Sequence, residues 1–294
     1  MNKLRDNPVT KQSRILIAGS TGYLGLHIVK QLHTEQVEFK ALVRNKAKLV
    51  SLGIRENQII EAQVTKPDEL NGICNGVDVV ISCLGITRQR DGLGYIDVDY
   101  QANLNLLQEA ERAGVSKFIY VSAFNAGKYS NVRLLKAKES FAQHLLDSDK
   151  LIPCVIRPNG FFSDLEEVYQ AAKTGRVYLF GTGEVKMNPI HGEDLARFCL
   201  EAIDSGEREL EAGGPEVLSG KDIAKLAFFV QNKQEQTTCL PDWLQSLALS
   251  VVKRLPEKWG GPAEFFLTVM GQDAIAPRYG THKLGDYFSE LSRK

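Results

Sequence analysis

One stretch constrains this chain more than any other: Arg14-Ile15-Leu16-Ile17-Ala18-Gly19-Ser20-Thr21-Gly22-Tyr23-Leu24-Gly25. Its short apolar run suits a strand buried on both faces of a parallel sheet. Glycines then recur at every third position, 19, 22 and 25, and Leu26 to Leu32 continues with helical spacing. Gly19 suits the tight strand-to-helix turn. Gly22, with no Cβ, lets a pyrophosphate approach the backbone, and Gly25 lets the helix pack against the sheet. The phosphates would face the positive end of that helix and its unpaired N–H groups. Gly19, Ser20, Thr21, Gly22, Tyr23, Leu24 and Gly25 are therefore the expected cradle of a dinucleotide.

Further apolar runs follow at Glu38–Arg44, Gln58–Ala62, Val77–Leu84, Ser116–Ser122 and Leu151–Arg157. Helical patterns lie between them, the clearest from Val98 to Gly114 and from Arg133 to Leu146. Gly114 suits the left-handed position after a helix end. This alternation predicts an α/β fold, a Rossmann-like doubly wound parallel sheet with helices on both faces. The expected division is a dinucleotide-binding domain over 1–158 and a smaller, mostly C-terminal substrate region over 159–294. Asp242 to Leu255 reads as an amphipathic helix, with Trp243, Leu244, Leu247, Leu249, Val251 and Val252 apolar. Such a stripe more often packs on a core or a partner than on a membrane surface.

At 43% hydrophobic residues, the 294-residue chain has enough apolar material for a sizeable core. Lysines and arginines equal aspartates and glutamates at 36 each, so no global charge draws it to nucleic acid or an anionic membrane. Neither partner is expected, and any phosphate recognition must be local. The five cysteines form no C-x-x-C pair and read as reduced thiols. Met1 to Lys11 is polar and lacks an apolar signal core, and no apolar run would span a bilayer. A cytoplasmic protein is the expectation, with its oligomeric state open.

The end of the second strand bears on the cofactor. A Rossmann site for NAD usually places Asp or Glu there, on the ribose 2′-hydroxyl. This strand ends Leu42-Val43-Arg44-Asn45, with a guanidinium instead. Arg44 can pair with a 2′-phosphate, with Lys48 adding charge and Ser20 and Thr21 adding hydroxyls. NADP(H) is the expected cofactor. Cys83, Leu84 and Gly85 end the fourth strand and should lie over the dinucleotide at the switch point of the sheet.

The glycine turn resembles that of the short-chain dehydrogenase/reductase superfamily, in its extended or atypical branch. Val121-Ser122-Ala123, Arg157-Pro158-Asn159-Gly160-Phe161-Phe162 and Pro189-Ile190-His191-Gly192-Glu193-Asp194-Leu195-Ala196 carry the same resemblance. It is nearest to NmrA-like proteins and to divinyl chlorophyllide reductase-like enzymes. Val177 to Gly183 and the tail from Tyr279 to Phe288 look similar to the latter. The resemblance implies that a segment around 186–204 returns to the Rossmann core, and that Asn159 and Phe161 lie near the nicotinamide.

Most members use a Ser, a Tyr acting as acid/base, and a Lys four residues after that Tyr. Ser122 stands where that serine would be, and Lys138 is the matching lysine. Four residues before Lys138, however, stands Leu134, which has no proton to exchange. Lys138 would then hold the nicotinamide ribose, donate a proton, or do both. Tyr129, four residues before Arg133, is the alternative acid. His191 would either point into the site or fix the turn before the Asp194 helix.

Two functions fit. The first is an NADP(H)-dependent reductase of a small, fairly apolar substrate, suited to an activated double bond because no tuned phenol is needed. The second is a non-catalytic, NADP-binding redox sensor of the NmrA-like kind.

Overall fold

A computed structural model describes residues 13–88 and 92–293; the Met1–Lys11 stretch lies outside them. Eleven strands are described: β1 (Ile15–Ala18), β2 (Phe39–Val43), β3 (Ile59–Glu61), β4 (Val79–Ser82), β5 (Lys117–Val121), β6 (Ile152–Pro158), β7 (Val177–Phe180), β8 (Lys186–Met187), β9 (Glu209–Ala212), β10 (Leu218–Ser219) and β11 (Thr237–Leu240). The helices are α1 (Tyr23–Thr34), α2 (Ala47–Val50), α3 (Asn103–Arg112), α4 (Arg133–Leu146), α5 (Glu166–Thr174), α6 (Gly192–Glu201), α7 (Gly220–Phe229), α8 (Asp242–Val252), α9 (Glu257–Val269) and α10 (Leu284–Ser292).

Seven strands form one parallel sheet in the order β3-β2-β1-β4-β5-β6-β9. The chain steps outward from β1 to β3, then crosses to β4 on the other side of β1. Loops diverge at that reversal and leave a crevice above the carboxyl ends of β1 and β4. Ile28, Leu32, Leu195 and Cys199 of α1 and α6 bury one face of the sheet. Leu106, Leu107, Phe141 and Leu145 of α3 and α4 bury the other. A second apolar cluster joins α5, α7 and α10 through Phe162, Tyr169, Phe228 and Phe288.

The helix expected from Val98 opens differently. Residues Ile96–Ala102 wind as a wide π-helix before α3 begins. Asn103 Nδ2 donates to the Val98 and Asp99 carbonyls at 3.2 and 3.1 Å, which braces the wide turn. The wide turn carries the Asp99 side chain to full burial. At the far end, Gly114 has φ +71° just past the last turn.

The three turn glycines differ in what surrounds them. Gly19 has φ +80°, and a Cβ there would lie 2.9 Å from the Cys83 carbonyl group. A Cβ at Gly25 would lie 2.2 Å from Gly19 O. Gly22 has an ordinary φ of −71°, and its nearest neighbour would be 3.2 Å away. Gly25→Ala should therefore lose about 1–3 kcal/mol or more through overpacking. Gly22→Ala should fold with near-parent stability yet lose NADPH affinity. Urea denaturation and calorimetric titration separate the two. Equal stability losses would contradict the assignment, as would undiminished NADPH binding by Gly22→Ala.

Candidate dinucleotide and substrate site

Two cavities meet at Gly22, Cys83, Gly85 and Ile86 and make one groove along the carboxyl edge of the sheet. The first part, about 300 Å³, is lined by Gly19, Thr21, Arg44, Val64, Thr65, Leu84 and Arg88. Arg44 stands at its outer end, where β2 delivers it. The other part, about 360 Å³, is lined by Tyr23, Leu24, Gly25, Ser122, Tyr129, Leu134, Lys138, Asn159 and Phe161. Gly22 is the N-cap of α1 and supplies no side-chain acceptor to its first turn. Those N–H groups suit a pyrophosphate at the junction of the two parts.

Several residues expected at the cofactor have other engagements. The Ser20 hydroxyl is fully buried and donates to Ile17 O at 2.7 Å, so it closes the turn rather than facing a phosphate. Lys48 Nζ donates to Thr21 O at 2.8 Å, which ties α2 to the glycine turn. Asn159 lines the cavity, but its amide nitrogen donates to Asn188 Oδ1 and Ala274 O, both at 2.7 Å. Its oxygen accepts from Gly160 N at 2.8 Å, so the side chain braces the loops around the cavity.

Tyr23 and Phe161 pack with ring centroids 5.6 Å apart and form an aromatic floor between the glycine turn and the end of β6. Gly192 N–H donates to the Tyr23 hydroxyl oxygen at 3.0 Å. Burial pushes the Tyr23 phenol up to about 12 and the Cys83 thiol up to about 12, so both stay neutral. Tyr129 reaches the cavity, and its hydroxyl donates to Gln272 Oε1 at 3.3 Å.

Lys138 has a partner that sequence reading missed. Its Nζ lies 2.9 Å from Asp99 Oδ1, with side-chain exposures of 14% and 0%. Tyr120 lies beneath, its ring centroid 5.8 Å from the ammonium. Burial lowers the proton affinity of Lys138, but the charge of Asp99 outweighs it and leaves that affinity raised. Burial pushes the Asp99 carboxyl up, and Lys138 opposes that shift. The pair is an ion pair, and Lys138 stays a cation. A Cβ at Gly85 would lie 2.7 Å from both Asp99 Oδ1 and Lys138 Nζ. Glycine stands there because the pair fills the space. Ser122 lines the same cavity, and its Oγ is buried with no hydrogen-bond partner among the described residues. Leu134, Leu135, Phe265, Phe266, Val269 and Met270 make much of the remaining lining apolar. The one signal for Asp99 was a carboxylate on the inward side of an otherwise amphipathic helix.

A histidine cluster lies behind Tyr23. His191 is the N-cap of α6, its Nδ1 accepting from Glu193 N at 3.3 Å. Its ring stacks on His282 at 4.3 Å, and His27 lies 5.5 Å away. His282 Nδ1 lies 2.9 Å from Asp194 Oδ1, and its backbone N–H also donates to Asp194. This clasp fastens the C-terminal segment to α6.

Fold and site together define a Rossmann-type dinucleotide-binding protein with the short-chain dehydrogenase/reductase arrangement. The family model described as NAD(P)H-binding matches residues 19–206, and the chain belongs to that family. The chloroplastic divinyl chlorophyllide a 8-vinyl-reductase of Cucumis sativus is 28% identical to it, over 96% of this chain and 69% of the relative. Photosystem II assembly factor Ycf39 of Synechocystis is also 28% identical, over 65% of this chain and 58% of the relative. An NADPH-dependent quinone oxidoreductase of Escherichia coli, crystallised with NADPH, has the same fold. It aligns with a TM-score of 0.69 over 95% of this chain and 99% of that one, at 20% identity.

Two outcomes test the electrostatics. Lys138→Met leaves Asp99 buried without a cation and should cost about 3–5 kcal/mol of stability. Adding Asp99→Asn should recover much of that loss but not NADPH binding, while Lys136→Met, on the exposed face, should change neither. A double variant that binds NADPH like the parent would remove Lys138 from the site. Separately, burial lowers the His27 pKa from 6.5 to about 4, so the native ring is neutral where the unfolded one is protonated. The unfolded state then binds more protons between those values, and stability should fall as pH drops from about 6.5 to 4. His27→Gln should flatten that slope in urea titrations at pH 7 and pH 5; an unchanged slope would assign the acid sensitivity elsewhere.

Proposed function

We propose that the protein is an NADPH-dependent reductase of a small, apolar substrate with an activated carbon–carbon double bond. The observation that carries this reading is the open cavity beside Lys138. Its lining is largely apolar, it carries the Lys138 ammonium with the Ser122 hydroxyl buried just beneath the lining, and it adjoins the dinucleotide groove. A redox sensor has no need of such a space. The cofactor supplies the hydride. Lys138 holds the nicotinamide ribose and keeps a fixed positive charge near the reacting atoms. Held by Asp99, it is a poor proton donor at neutral pH. Ser122 donates a hydrogen bond to the polar end of the substrate, where negative charge collects as the double bond is reduced. The remaining proton reaches carbon from water. Leu134, in the usual place of the phenol, widens the apolar wall.

The vinyl-reductase relative supports the choice of a carbon–carbon double bond. The cavity is at the small end of ligand sites, which span about 300–1,000 Å³, and nicotinamide occupies part of it. A compact substrate fits better than a whole macrocycle. Arg44 at the outer end supports NADP(H) over NAD(H).

The reading is checked with NADPH deuterated at C4 and a panel of α,β-unsaturated ketones and other activated alkenes. Deuterium should appear on substrate carbon, and Ser122→Ala should lower kcat more than it weakens NADPH. Arg44→Ala should cost about 1.5–3 kcal/mol of NADPH affinity and spare NADH. Tight NADPH binding with no turnover across the panel would favour the sensor instead.

A further inference from the structure

The α8–α9 hairpin presents an apolar edge that no other described residue covers. No residue of α8 is buried. Trp243, Leu247 and Val251 recur at four-residue intervals along one stripe, exposed by 65%, 53% and 50%. Leu255 and Trp259 continue the exposure through the turn, Trp259 at 71%. Trp243 and Trp259 are the only tryptophans of the chain.

The exposed charges at this edge are mainly positive, with one exposed acid, Asp242, at the start of α8 beside Trp243. Lys253, Arg254 and Lys258 are exposed at the turn. Glu257, the acid among them, is turned inward and accepts from Tyr95 N at 2.8 Å. Glu264 of the same helix is buried against Arg133, Nε to Oε2 2.6 Å. Lys258 Nζ lies 5.7 Å from the Trp259 ring centroid. The edge is also rigidly mounted. Arg133 of α4 donates to Leu255 O at 2.9 Å and Val252 O at 3.2 Å, which pins the turn. A Cβ at Gly260 would lie 2.2 Å from Val252 O, so the two helices meet at backbone contact.

We propose that this hairpin docks on an anionic lipid bilayer. Trp243, Leu247, Val251, Leu255 and Trp259 enter the headgroup layer while Lys253, Arg254 and Lys258 meet the lipid phosphates. Indole rings favour that layer because one part is apolar and the N–H stays hydrated. Cations beside an apolar stripe are the pattern of a helix lying in the plane of an interface. A protein partner would more often place acidic and basic groups together at the rim. No described helix is long and apolar enough to cross a membrane, and lying on its surface makes no such demand. Further along α9, Phe265, Phe266 and Val269 line the cavity, so docking would bring the cavity wall to an apolar, lipid-dissolved compound. The docking itself does not depend on the reductase reading, since vesicle binding is measured without turnover.

The experiment is sedimentation of the full chain with vesicles of phosphatidylcholine, with and without phosphatidylserine, and tryptophan emission read in parallel. Both indoles lie in the patch, so the spectrum reports it directly. Emission should shift to the blue on anionic vesicles, and binding should weaken roughly tenfold or more on neutral ones or in high salt. Trp243→Ser with Trp259→Ser should abolish binding, and Lys253→Glu with Lys258→Glu should reduce it roughly tenfold, with unchanged thermal unfolding in both. Absence of vesicle binding by the parent overturns the proposal, as does equal binding by the variants. So does a parent that is dimeric by ultracentrifugation where the tryptophan variant is monomeric, because a second copy is then the occupant.

Discussion

Three parts of the chain converge on the backbone of Gly19. Gly22 N–H donates to its carbonyl at 3.0 Å, and the backbone of Gly25 presses on the same oxygen. On the other side, Cys83 at the end of β4 leaves no room for a Cβ. This one close approach sets the entry of α1, the spacing of β1 from the loop after β4, and the crevice between them. Both parts of the groove open from it. A single methyl group at Gly19 or Gly25 would move all of these at once, because a close-packed interior passes strain on.

Buried charge then ties the substrate side to this frame. The π-wound turn carries Asp99 to Lys138, and Gly85 leaves room for the pair. One helical turn before Lys138, Leu134 faces the cavity, while Arg133 reaches outward to Glu264 and to the turn between α8 and α9. The helix that carries the lysine therefore also holds the apolar part of the cavity lining. Each charge has a partner from a distant segment, which is the condition for burying a charge without a large loss of stability.

Much of the fold was legible because its signals are local. Turn glycines, apolar runs and helical spacing lie within a dozen residues of one another, and α4 runs from Arg133 to Leu146 as its pattern alone indicated. Arg44 at the end of β2 was found in the same way, since a strand end in a parallel sheet points to the crevice. Ser20 and Asn159 were placed in the right neighbourhood, but spacing along a chain does not show which way a hydroxyl or amide turns. Ser20 turned back to β1, and Asn159 turned to segments 29 and 115 residues away.

The sequence by itself determined the parallel sheet, the glycine turn and the absence of a phenol before Lys138. These follow from residue type and period, which short-range sterics convert into backbone shape. Only the tertiary structure decided that Asp99 faces Lys138, that Gly85 is glycine on their account, and that β9 closes the sheet beside β6. It also decided that Trp243 and Trp259 stay exposed among the described residues while later turns of α9 line the cavity. Each depends on segments far apart in the chain, whose contact is selected by burial and charge pairing over the whole fold rather than by any pattern within one segment.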